Sequence, residues 1–302
     1  MATAQLTPAG VGIRNVLIAT DFSRCSTVAL DFGLELVKTY DATAYIVSVI
    51  PNDAYMLSGP EVHITARDAV LRDLEELRAE LKRRRPDLPE AKRHLYLLDG
   101  DVAGSILDFA HQKKVDLIVL GTHGRGGLGK ALLGSVAERV FRHSPVPVLT
   151  LGPCVHPSHS HHELRTILAA ADFTPASQRA VQSAAMLARE REAKLVLLHV
   201  ADPAQLRHVP DQDAVKHGLE LRVTELLGSE SGGPHCSVRI ATGQVKRTIL
   251  EVAKEEQADL LVMGVRASSG VLDHLVIPHA YEVVREAPCP VLTLREVKPT
   301  SL

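Results

Sequence analysis

Three glycines and a serine stand at Gly121, Gly124, Gly134 and Ser135, in the pattern Gly-x2-Gly-x9-Gly-Ser, with an aspartate, Asp21, far upstream. Such spacing suits phosphate chemistry. Glycine lets the backbone approach an oxygen with no Cβ in the way. Gly134 and Ser135 would open a helix whose N–H groups and dipole favour an anion, with the serine hydroxyl as a further donor. Arg125 and Lys130 add mobile positive charge nearby. Three of these residues also have a plain structural use: Gly121 as a strand-end turn, Ser135 as a helix cap, Asp21 in an Asx-turn.

Two other phosphate patterns share these glycines. Gly124 to Gly129 satisfies Gly-x-Gly-x-x-Gly, but the dinucleotide fingerprint belongs to a first strand–helix turn followed by an acidic residue. Here it follows a fourth strand, and the chain turns into a last strand and a linker. Gly124 to Lys130 nearly spells Gly-x4-Gly-Lys, yet Ala131 stands where a P-loop needs a hydroxyl for magnesium. Both fit worse than the longer pattern.

The elements that must position these residues are written twice. Val16 to Ser23 (VLIATDFS) returns as Ile167 to Thr174 (ILAAADFT), at an offset of 151. The segment from Leu117 to Leu151 returns from Leu260 to Leu294 at an offset of 143, and each copy closes on PVLTL. The second copy has therefore lost eight residues in between. Strand-like runs fall at 15–19, 43–49, 93–98, 117–121 and 146–150, with helices at 26–40, 64–85, 102–113 and 134–142. The second half repeats the rhythm, with strands at 166–170, 194–200, 235–240, 260–264 and 291–294. Its helices are expected at 177–192, 211–227, 245–256 and 277–285. Strand–helix alternation implies α/β domains, each with a parallel sheet covered on both faces. Ser26 and Ser177 are placed to cap their helices, and Pro278 falls in a first turn, where its missing N–H costs little.

This divides the chain into domains at 1–152 and 164–302, joined at 153–163 by a segment of His, Pro and Ser that reads as an exposed linker. Its imidazoles could bind a metal, but a run without supporting groups binds weakly. At 302 residues each half can bury its own core. With 3% aromatic residues and no Trp, that core is aliphatic, as parallel strands under helices require. A net charge of -2 gives no general attraction to nucleic acid or anionic membrane. The four cysteines form no CxxC pair. With no signal-like N-terminus and no membrane-length apolar run, a reducing cytoplasm is expected.

Taken together, Asp21 after the first strand and the segment from Gly121 to Val136 after the fourth make the chain resemble the tandem universal stress proteins. ATP-binding members of that family carry the Gly-x2-Gly-x9-Gly-Ser/Thr signature. The resemblance implies two doubly wound domains, each a five-stranded parallel sheet of order 3-2-1-4-5, with the ligand crevice between the first and fourth strands. It implies that Ala19 and Asp21 flank an adenosine and that Val49 lines the base. Leu120, Gly121, His123, Gly124, Gly134, Ser135 and Val136 would then surround ribose and phosphates. Magnesium could accompany ATP, with no evident protein ligand.

In the second half Asp172, Val200 and Gly264 are kept, but Ala267, Ile277 and Pro278 replace Gly124, Gly134 and Ser135. One ATP site per chain is expected, in the first half. No nucleophile–base pair accompanies it, so a nucleotide-responsive stress regulator is expected rather than a dedicated enzyme. The alternatives are an interaction module that binds no nucleotide, and a slow ATPase or autophosphorylating protein. The resemblance also implies a pseudo-dimer of the two halves through their apolar last strands, which would cover edges otherwise open to pairing. A homodimer is compatible with the sequence, though no residue argues for it.

Overall fold

A computed structural model describes residues 12–122, 134–155, 164–203, 212–228, 235–265 and 278–295. Ile13–Leu151 packs as one compact unit, and the chain from Gly152 onward belongs to a second.

In the first unit the order is β1 (Asn15–Ala19), α1 (Arg24–Thr39), β2 (Thr43–Pro51), α2 (Asp53–Arg84) and β3 (Arg93–Gly100). It continues through α3 (Val102–Gln112), β4 (Leu117–Gly121), α4 (Ser135–His143) and β5 (Val148–Leu151). All strands run parallel in the order β3-β2-β1-β4-β5. The second unit repeats this with β6 (Thr166–Ala170), α5 (Pro175–Arg191), β7 (Lys194–Ala201), α6 (Gln212–Glu225) and β8 (Cys236–Thr242). It closes with α7 (Val245–Glu255), β9 (Leu260–Val265), α8 (Pro278–Glu286) and β10 (Val291–Arg295). Its parallel order is β8-β7-β6-β9-β10. The strand order expected from the resemblance is thus present in each unit.

Central strands covered on both faces must be apolar on both faces. Val16, Leu17 and Ile18 on β1, and Ile167, Leu168 and Ala169 on β6, are fully buried. A carboxylate fixes the register of each. Asp116, just before β4, accepts from the N–H groups of Arg14 and Asn15, each at 2.9 Å. Asp259 does the same for Arg165 and Thr166, again at 2.9 Å. One charge thereby aligns the starts of neighbouring strands 93 to 102 residues apart in sequence, and so aligns where they end.

Two expectations need correction. The caps lie three residues before Ser26 and Ser177. Ser23 Oγ accepts from Ser26 N, and Thr174 Oγ1 accepts from Ser177 N, with Pro175 following in the first turn. Ser26 and Ser177 are buried inside their helices, so their hydroxyls turn back onto the carbonyls of Ser23 and Thr174. Helix α2 begins at Asp53 rather than at 64. The helix includes Gly59 and Pro60, where the proline costs it one N–H donor. Much of the 153–163 linker lies outside the described residues.

Candidate functional site

The candidate site lies where the strand order reverses. From β1 the chain steps outward to β2 and β3; β4 and β5 then add on the other side. Val16, Leu17 and Ile18 pair with Leu117, Ile118 and Val119, so β1 and β4 deliver their next residues side by side at the carboxyl edge. Helices move away on either side of such a reversal, which leaves a cleft.

On the β1 side, Ala19 is half-buried at the strand end. Asp21 Oδ1 accepts from Ser23 N at 3.1 Å, and Phe22 between them has φ of 60°. A bulky residue in the left-handed region is strained, and the aspartate hydrogen bond helps hold it there. The second unit repeats the device at Asp172, Phe173 (φ 61°) and Thr174, again at 3.1 Å. Asp21 therefore has a turn to hold whatever else it does. Val49 lies half-buried near the end of β2, paired with Leu98.

On the β4 side, Leu120 is buried in the core, so only its backbone can meet a ligand. Gly121 has a packing duty. A Cβ there would lie 2.8 Å from Cys25 C and from Ser26 N, in the backbone of the first turn of α1. Gly264 stands in the same relation to α5, closer still at 2.4 Å from Ala176 C and Ser177 N. Both copies thus need glycine at the strand end for helix packing, independently of any phosphate.

Gly134 N donates to Thr122 O at 2.7 Å, which ties the start of α4 to the end of β4 and removes that N–H from anion binding. The available donors begin one residue later. Gly134 is the N-cap and has no side chain to accept from the first turn, in contrast to α1 and α3, capped by Ser23 and Asp101. The first-turn N–H groups of α4 begin with exposed Ser135 and half-buried Val136. Such a turn is suited to an anion. His123, Gly124, Arg125 and Lys130 lie outside the described residues. The structure therefore brings Ala19, Asp21, Val49, Gly121, Gly134, Ser135 and Val136 to one edge, and leaves Leu120 behind it.

Two residues at this edge escaped the sequence reading. Asp101 caps α3, accepting from Gly104 N at 2.9 Å, and also binds Arg139 of α4 at 2.6 Å. The Arg139 guanidinium, followed by the Gly104 N–H, holds the Asp101 carboxyl below the usual range. An Asp just before an apolar helical run was the available signal for the cap.

The second unit is built differently at the end of β7. His199 stands where the first unit has Ser48. Its Nδ1 lies 2.8 Å from Ala171 O, which makes it the donor. Its ring lies 4.4 Å from that of Phe173, and the Arg222 guanidinium lies 4.2 Å from the Phe173 ring centroid. This cluster, with the two rings tilted at 44° to one another, braces the β6–α5 turn with its own side chains.

Residues 12–151 and again 163–295 match the model of the universal stress protein family. The chain belongs to this family, as a tandem member. A universal stress protein of Methanocaldococcus jannaschii is 35% identical over 140 residues, 46% of this chain and 81% of that one. One from Mycobacterium tuberculosis is 28% identical over 188 residues, covering 61% of this chain and 63% of its own length. The crystal structure of a universal stress protein from Archaeoglobus fulgidus has a TM-score of 0.71 at 24% identity, covering 93% of this chain and 98% of that one. At that identity the likeness speaks for the fold. No helix among the described residues is long and apolar enough to cross a membrane.

Proposed function

We propose that the first universal stress domain binds ATP in the β1–β4 crevice, and that the chain is a cytoplasmic, nucleotide-responsive stress regulator. One observation carries this reading: α4 opens without a side-chain cap at the edge where β1 and β4 end together. The Gly-x2-Gly-x9-Gly-Ser spacing joins those two places. In this reading Ala19, Asp21 and Val49 hold the nucleoside, while the segment from Gly121 to Val136, with Arg125 and Lys130, holds the phosphates. Magnesium would travel with the phosphates. Saturable binding of ATP to the purified chain is the test, and none up to millimolar nucleotide would refute it.

A second reading has an observation of its own. The duties of Asp21 and Gly121 recur at Asp172 and Gly264, where the phosphate pattern is gone. On that reading the motif survives for folding alone, in an interaction module.

Two substitutions separate turn from ligand. Asp21→Asn keeps an oxygen for Ser23 N and should leave stability unchanged. It should weaken ATP binding by about tenfold or more, the worth of a charge-assisted hydrogen bond. Asp21→Ala should show the same weakening and, from the lost turn bond, a further fall in stability of about 1 kcal/mol. Unchanged ATP affinity in both variants would place the nucleotide elsewhere.

The same proposal pairs the two domains through their apolar last strands, on the ground of sequence. Separately expressed halves should form a one-to-one complex in analytical ultracentrifugation; two non-associating monomers would rule the pairing out.

A further inference from the structure

Arg139 lies on α4 four residues after Ser135, on the same side of the helix and about one turn deeper. Helical side chains slope toward the N-terminus. The guanidinium accordingly reaches the start of α3, where its Nη1 lies 2.6 Å from Asp101 Oδ1. The other oxygen of Asp101 accepts from Gly104 N in the first turn of α3. One carboxylate thus caps one helix and holds a cation from the next, both at the carboxyl edge of the sheet.

Helix N-termini carry partial positive charge, so a guanidinium between two of them is favoured by anions. Asp101 occupies only part of a planar fork with five donors. Both side chains are more than half exposed, at 54% and 56%, so a phosphate tail could approach them from solvent. The second domain reverses the pattern. Gln244 replaces Asp101 and forms no side-chain cap, and Glu282 replaces Arg139, lying 3.6 Å from Lys246. The copy with Pro278 in place of Ser135 has also exchanged a cation for an anion one turn into the helix.

We propose that Asp101 is a positioning residue that holds the Arg139 guanidinium beside the first turn of α4, where Arg139 reads the charge of the phosphate tail and makes the first domain prefer a nucleoside di- or triphosphate over a monophosphate or free nucleoside. This rests on the assignment of ATP to the first domain, and deepens it from a ligand to a selectivity.

The test titrates ATP, AMP and adenosine into the full chain and three variants: Arg139→Gln, Arg139→Lys, and the double reversal Asp101→Arg with Arg139→Asp. Arg139→Gln should weaken ATP about ten- to a hundredfold while leaving adenosine within about twofold, since only the charged donor to the tail is lost. Arg139→Lys should keep most of the ATP preference. The double reversal restores attraction between α3 and α4 but turns a carboxylate toward the tail, so it should bind ATP no better than Arg139→Gln. Recovery of unaltered ATP affinity in the double reversal would make the pair a mere tie between helices and overturn the proposal. An equal loss for ATP and adenosine in Arg139→Gln would overturn it too, with ATP binding itself still standing. Failure of the unaltered chain to bind ATP would remove the assignment beneath it, and the selectivity with it.

Discussion

ATP titrated calorimetrically into the full chain should saturate at one equivalent, and the single substitution Ser135→Pro should lower the affinity at least about a hundredfold without unfolding the domain. The second copy suggests this variant, since Pro278 already begins α8. Proline is tolerated at the first helical position, because the N–H it lacks has no intrahelical partner there. The preceding residue must be extended, and Gly134 already is, with φ of -58° and ψ of 129°. The fold therefore has little reason to object. A phosphate would lose both the N–H and the hydroxyl of residue 135, two donors worth about 1.5–3 kcal/mol each when the acceptor is charged. Gly134→Ile would be a poorer probe. A Cβ at 134 would lie 2.9 Å from Thr122 O, so lost binding could reflect strain. Two equivalents per chain, or unchanged affinity in Ser135→Pro, would show that the first-domain motif is not the site.

The second large effect concerns stability. Gly264→Ala should destabilise the second domain by about 3 kcal/mol, and Gly121→Ala the first by about 1–2 kcal/mol, the range for forcing atoms into a packed interior. The added methyl at 264 would sit 2.4 Å from Ala176 C and Ser177 N, and 2.6 Å from Ala176 O. These are backbone atoms of a helix turn, so no rotamer change relieves the overlap. At 121 the nearest backbone atoms lie at 2.8 Å, and a smaller shift of α1 suffices. Urea unfolding of each variant, with the domain transitions resolved, checks the order. If Gly264→Ala stays within about 0.5 kcal/mol of the parent, the helix can back away and the glycine needs another explanation. Gly264 matters here because its domain has lost the rest of the phosphate pattern, which makes packing the sufficient reason to keep it.

Much of the fold is set by local pattern. The bounds of β1, β4 and β6 coincide with the apolar runs that mark them, because strands buried on both faces can hold little else. The two-fold writing of the chain, the strand–helix rhythm and the divergence of the second phosphate motif are all legible in residue order. So is the opening of α4 at Gly134 and Ser135, although the N-cap is Gly134 and Ser135 is the first helical residue rather than the cap its type suggests.

Tertiary structure decided what each of those residues does. Gly121 looks like a phosphate residue in sequence, but its Cβ position is taken by a helix turn about a hundred residues earlier in the chain. Asp21 looks like a ligand residue, yet it also holds the turn around Phe22. Ser26 and Ser177 look like caps until Ser23 and Thr174 are seen accepting from them. Neither the Asp101–Arg139 pair, 38 residues apart, nor the packing of Arg222 and His199 against Phe173 leaves a periodic trace. Periodicity reports which face of an element is buried, through contacts three or four residues apart in helices and two in strands. It carries no record of which distant backbone comes to lie against that face, and that is what separates a glycine kept for packing from one kept for a ligand.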